Sequence, residues 1–147
     1  MNEPSPPSLG FLLRNAYAAL AEHVYGQLPD RGFPEIRRAH SSLLRHIAPG
    51  GSRLTELAAA AGMAKQSMAY LADDLTALGM LEAVPDPRDG RARLLRLTAR
   101  GRKLYETLVA LSAEAESRLE AELGATGIAA LRHGLTQTIA RFPPGLG

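Results

Sequence analysis

The sequence has no cysteine and no tryptophan. Without cysteine there are no disulfides, no thiolate zinc sites, no thiol nucleophile and no thiol redox sensor. Valine and isoleucine are scarce, 3 and 4 residues against 25 alanines and 24 leucines, and that bias favours helix over strand. Aromatic residues make up only 5%, so packing by large rings is sparse. No apolar run approaches the roughly 20 residues of a membrane span. The stretch Met1 to Ser8 lacks the basic and apolar segments of a signal peptide, so a cytoplasmic domain without membrane attachment is expected.

Catalytic patterns are missing too. There is no glycine-rich phosphate loop before a helix, no nucleophile elbow, and no His–carboxylate pair beside a nucleophile. His40 and His46 are six apart, which puts them on different sides of a helix, and His23 and His133 have no nearby histidine. Neither an enzyme, nor a metal site, nor a cofactor is expected.

What is present suits one domain: 147 residues, 46% of them apolar. The net charge is only +2, but it is unevenly placed. Between Asp86 and Tyr105 seven basic residues face two acidic ones, whereas Glu106 to Glu122 carries five acidic and one basic. A local basic block points to an anionic partner, nucleic acid included. Of the 17 basic residues 15 are arginine, the side chain whose fork fits phosphate and guanine.

Proline and glycine mark the ends, and tails are expected at 1–8 and 143–147. Leu9, Leu13, Ala16, Leu20 and Val24 recur at helical spacing and predict a helix over about 9–28. A second helix is expected over about 34–47, with Pro34 in its first turn. Thr55 reads as the N-cap of a third helix, which Gly62 stops. A fourth spans about 64–78, with Met68, Leu71, Leu75 and Leu78 as its buried stripe. The period then changes. Residues 80–84 and 93–97 read as two short strands around the turn-rich Pro85 to Arg91, a β-hairpin with a basic tip. Thr98 caps a long helix over about 99–123, and after Gly124 a last helix runs over about 128–142. The fold class is therefore mainly α with a small β-hairpin, about six helices in all.

A short helix, a glycine turn and a second helix make a helix-turn-helix, and the following hairpin makes it winged. Leu54-Thr-Glu-Leu-Ala58, Gly62-Met63, Leu75 to Leu81, Asp86-Pro-Arg-Asp-Gly-Arg91 and Leu95-x-Leu97-Thr98-x-x-Gly101 resemble the MarR family of bacterial transcription regulators. The resemblance covers nearly the whole chain. It implies a homodimer joined through helices at about 9–47 and 99–142, with the winged helix-turn-helix at about 52–98 inside one domain of 9–142. It implies a repressor on a palindromic operator, released by a small effector. The long striped helix from Ala99 independently calls for a partner to cover it. Half-sites on double-stranded DNA would then lie about 34–36 Å apart.

On the helix from about Ala64, Lys65, Gln66, Ser67 and Tyr70 point away from the buried stripe. Gln66 suits adenine edges, Lys65 guanine or phosphate, and Ser67 and Tyr70 phosphates or bases. In the wing, Arg91 at the tip is the candidate for minor-groove insertion, Arg88 is either a second contact or the partner of an acidic residue, and Arg93 is a further contact against the plainer reading of a solvated strand residue. Arg53 stands near the start of the motif and is a candidate for the DNA backbone. The resemblance implies that Asp73 pairs with a wing arginine, and Asp86 is read as bracing the hairpin. For a phenolic or carboxylate effector the candidates are Arg14, Tyr17 and His40, against the plainer reading of hydrogen-bonded core residues. The rival function is a winged helix that binds a protein and no DNA, which would have no need of Arg88 and Arg91.

Overall fold

The computed structural model describes residues 5–143. Among them are five α-helices and one antiparallel hairpin: α1 Leu9–Tyr25, α2 Ser41–Leu44, α3 Leu54–Ala61, α4 Lys65–Ala77, β1 Leu81–Asp86, β2 Asp89–Leu97 and α5 Ala99–Arg141. Two 3-10 turns, Pro29–Arg31 and Arg38–His40, lie between α1 and α2. Of the expected tails, residues 1–4 and 144–147 lie outside the described residues.

The caps follow from side-chain chemistry. Ser8 starts α1, its hydroxyl accepting the Phe11 N–H at 3.2 Å. Gly62 ends α3 at φ 63°, and the Met63 N–H reaches back to the Ala58 carbonyl at 2.9 Å. A side chain at that φ would be strained, so the tight turn into α4 depends on glycine. Thr98 starts α5: its hydroxyl accepts the Gly101 N–H at 3.1 Å and donates to the Gly79 carbonyl at 2.5 Å. One threonine thus ties the exit of the hairpin to the exit of α4.

Two elements depart from the sequence reading. The second helix is much shorter than 34–47, a 3-10 turn followed by the single turn of α2. His40 accounts for this, because its Nδ1 accepts the Arg37 N–H at 2.9 Å and stops the helix from extending back toward Pro34. Thr55 is not the cap of α3. Ser52 pairs with Leu95 as an isolated β-bridge, and the helix starts directly after it at Leu54. The Glu56 carboxylate closes that first turn on the Arg53 N–H at 3.0 Å. The break expected at Gly124 is present: the residue is non-helical at φ 75°, ψ 163°, and helix continues beyond it to Arg141. Arg132 beyond the break meets Glu116 before it at 2.8 Å.

The core is built where these elements meet. Leu28, Leu43, Leu57, Met68, Leu75 and Leu104 have almost no exposed surface. Met68 and Leu75, from the expected stripe of α4, lie against α3 and the hairpin in this core. Other apolar side chains stay in solvent: Leu9 and Phe11 on α1, and Val109, Leu123, Ile139 and Phe142 on and after α5. No helix among the described residues is long and apolar enough to cross a membrane.

Candidate nucleic-acid interface

The site is built on α4 and the hairpin. On α4 the side chains of Lys65, Gln66, Ser67 and Tyr70 are exposed, as the stripe on the opposite face requires. Tyr70 keeps 78% of its surface in solvent. The N-cap of α4 is Ala64, which offers no side-chain acceptor, and the first turn holds no acid. The free N–H groups there, with Lys65 beside them, form a positive helix end that suits phosphate oxygens.

The hairpin is held by a buried carboxylate. Asp86 has 1% of its surface exposed. One oxygen accepts the Arg88 N–H at 2.9 Å, and the other accepts Arg53 Nε at 2.8 Å and its terminal nitrogen at 2.7 Å. The Arg88 N–H, with the Arg53 guanidinium, holds this carboxyl below the usual aspartate range despite its burial. Arg88 also lies 3.9 Å from Glu56. The brace therefore joins the wing to the first turn of α3.

The same chemistry sets the wing's shape. Strand pairing runs from Leu81 with Leu97 to Pro85 with Arg93, then jumps to Asp86 with Asp89. Pro87 and Arg88 form the tip, and Gly90, Arg91 and Ala92 form a bulge in β2. The Asp89 carboxylate accepts the Arg91 N–H at 3.1 Å and shapes that bulge. Arg91 is thus carried on the bulge and not at the tip, because the two aspartates close the turn early. Its side chain is exposed and has no acidic partner among the described residues. Arg93 donates to the Ala83 carbonyl across the hairpin at 3.3 Å and stays exposed.

Two expected roles change. Arg53, expected on the DNA backbone, has its guanidinium bound by Asp86 and serves as the wing's brace. Asp73, expected to pair with a wing arginine, is exposed and has no cationic partner among the described residues. It lies on the solvent side of α4, and Arg53 from α3 supplies the cation that holds the wing. The neighbouring Asp74 is the carboxylate of α4 that finds partners. Its Oδ2 lies 2.7 Å from His40 Nε2 and 2.9 Å from Arg37. The hydrogen bond from His40, then that from Arg37, holds Asp74 below its ordinary range. The signal for this pair was His40 itself, a polar residue on an apolar face that needs a buried partner.

The effector candidates separate. His40 is fully buried with both ring nitrogens engaged, so it lines no cleft. Tyr17 is half-exposed and sits among arginines. Arg45 donates to its hydroxyl at 3.1 Å, and the Arg38 and Arg45 guanidiniums lie 5.9 and 5.7 Å from its ring centre. Burial pushes Tyr17 up, but the Ser41 hydroxyl and the charges of Arg45 and Arg38 outweigh it and leave the phenol below its ordinary value. Arg14 is exposed on α1, one turn before Tyr17. Arg38 and Arg45 were not legible as part of this cluster, because only the turn before α2 brings them to α1.

These observations meet in one comparison. Residues 36–92 match the model of the MarR family. The matched stretch runs from the turn before α2 to the bulge of the wing. Solved structures extend the likeness along the chain. CouR from Rhodococcus jostii RHA1, in a crystal structure bound to p-coumaroyl-CoA, is 25% identical with a TM-score of 0.72; the match covers 95% of this chain and 96% of that one. The transcriptional regulator Tm0710 from Thermotoga maritima is 26% identical with a TM-score of 0.62, covering 90% and 94%. A MarR-family regulator from Rhodococcus sp. RHA1 shares the fold at 24% identity, with a TM-score of 0.70 over 94% and 98%. No curated protein sequence matches the chain. The fold is that of MarR-family transcription regulators.

Proposed function

We infer that this chain is a sequence-specific DNA-binding regulator, a homodimeric repressor of a palindromic operator. The observation that carries the reading is the pairing of two exposed cationic features in a MarR-like fold. One is the uncapped start of α4 with Lys65, Gln66, Ser67 and Tyr70 in solvent. The other is a wing whose Arg91 has no acidic partner among the described residues, on a hairpin braced by Asp86. Gln66 and Lys65 read base edges in the major groove, Ser67 and Tyr70 add phosphate or base contacts, and Arg91 enters the flanking minor groove. Arg88 and Arg93 add charge along the wing.

The exposed apolar side chains of α1 and α5 support dimerisation of a single domain spanning 9–142 around the winged helix-turn-helix of 52–98. The protein is read as cytoplasmic and without catalytic activity. Release by a small phenolic or carboxylate effector is supported by the two guanidiniums at Tyr17, with Arg14 one turn away. CouR, of similar fold, holds an aromatic acyl-CoA.

The test is binding to a labelled duplex from the region upstream of its own gene, titrated with salt and competitor. Competitor-resistant binding that weakens steeply with salt is the expected result. Binding that vanishes under competitor at every salt concentration, on this duplex and on any enriched from a random pool, defeats the reading.

A further inference from the structure

The contact between His40 and Asp74 has a geometry that fixes its chemistry. His40 is fully buried at the end of the 3-10 turn before α2. Its Nδ1 accepts a backbone N–H from Arg37, so that nitrogen carries no proton. The ring proton is therefore on Nε2, which donates to Asp74 Oδ2 at 2.7 Å. The same oxygen takes a second donor, Arg37 Nη2, at 2.9 Å. One carboxylate oxygen on α4 is thus held by two groups from a single turn of the neighbouring segment.

The place of attachment matters more than its strength. Asp74 lies one turn beyond Tyr70 and two turns beyond Gln66, about 40° and about 80° around the helix from them. It stands on the flank of the face that reads DNA in our proposal. Along the same flank, an open groove of about 620 Å³ lies between the start of α4 and the turn that leads into α2. Ala39 and Ser42 line one side, and Gln66, Ser67 and Tyr70 the other. Side-chain packing does not fill that gap, so it does not set the spacing there. Core packing of Met68, Ala72 and Leu75 holds the inner face of α4 against α3 and the hairpin, and on the open flank the tie to the segment before α2 is the His40–Asp74 contact.

We propose that His40 and Asp74 form a strut that sets the lateral position of α4, and that they are positioning residues for base-specific binding. Neither touches DNA. The inference rests on the DNA-reading function proposed above. Hydrogen bonds to base edges tolerate little displacement, whereas phosphate contacts by flexible arginines tolerate more. Removing the strut should therefore lower sequence preference and spare non-specific binding.

The experiment uses the full chain and two duplexes: one enriched from a random pool by the wild type, and one of scrambled sequence. The variants are His40→Leu, Asp74→Ala and the conservative His40→Gln, which can keep a donor toward Asp74. The readout is the ratio of the two affinities, in which any unfolded fraction cancels. We expect His40→Leu and Asp74→Ala to lower that ratio about tenfold, the effect of one mismatched base pair. Affinity for the scrambled duplex should stay within about twofold, and His40→Gln should recover most of the ratio. Asp74 is only half-buried, so Asp74→Ala keeps the test decisive should His40→Leu fail to fold. An unchanged ratio in a variant, beside a wild type that prefers its enriched duplex, overturns the strut alone. A wild type that enriches no sequence overturns the regulator reading, and the strut's purpose with it.

Discussion

Asp86 shows how one side chain carries a whole feature. Its carboxylate is buried, yet it is held ionised by the Arg88 N–H and by Arg53. A carboxyl whose folded pKa lies below its unfolded value contributes stability that is complete above the unfolded value. That stability is lost as pH falls through the folded one. Asp74 behaves the same way. We therefore expect the melting temperature to hold down to about pH 4 and to fall below it. Asp86→Asn should flatten that acid limb and lower the neutral melting temperature; calorimetry across pH 2–7 checks both, and an unaltered acid limb would remove Asp86 from this role. Gly101 makes a second point. In an open helix, glycine to alanine gains up to about 1 kcal/mol. Here the added Cβ would overlap the Met80 carbonyl oxygen, a backbone atom that cannot swing away. Overpacking of this kind costs about 1–3 kcal/mol, so Gly101→Ala should destabilise in denaturant titration.

Among the elements, those governed by local chemistry were legible in the sequence. The cap at Thr98, the stop at Gly62 and the break at Gly124 each rest on one residue's own preferences, and each is found. The exposed face of α4 follows from its buried stripe. What was illegible depends on long-range partners. Residues 34–47 carry a helical pattern, but His40 bonds backward and shortens the helix. Asp73 and Asp74 are adjacent, and nothing local says which one finds a cation. Arg53 looks like a free arginine until the hairpin delivers Asp86 to it. The wing gives the prediction of this scale. Arg91 is carried by the bulge and has no acidic partner among the described residues, so Arg91→Ala should leave the fold intact. It should weaken operator binding about tenfold and flatten the salt dependence by about one ion. Filter binding at several salt concentrations reads both numbers, and unchanged binding would show the wing to be idle.

At the scale of the whole molecule, apolar side chains of the described residues stay uncovered on α1 and along α5, its far part included. Leu131, Leu135 and Ile139 recur at steps of four on the segment beyond Gly124, and all three are exposed. A second copy of the chain covers such a ridge in the dimer we propose. Burying what remains exposed of these side chains is worth about 1 kcal/mol each, and a glutamate placed there would bring a charge into the covered ridge. Leu135→Glu with Ile139→Glu should therefore raise the dimer dissociation constant by at least about a hundredfold. Sedimentation at micromolar concentration would show monomer in place of dimer. The paired variant should also lose most operator affinity, since each monomer holds one half-site.

The bulge in β2 has a consequence for how such a wing changes over generations. Below it, five residue pairs from Leu81–Leu97 to Pro85–Arg93 keep unbroken register. Above it, the Asp86 carboxylate accepts the Arg88 N–H and closes the turn, held from α3 by Arg53. Residues 90–92 sit between these two closed parts, joined to the turn through the Arg91 N–H on Asp89, so a change of length there leaves the paired strands and the Asp86 brace in place. The reach of the arginine over its target is thereby uncoupled from the alignment of the hairpin, and a lineage can retune one while inheriting the other intact.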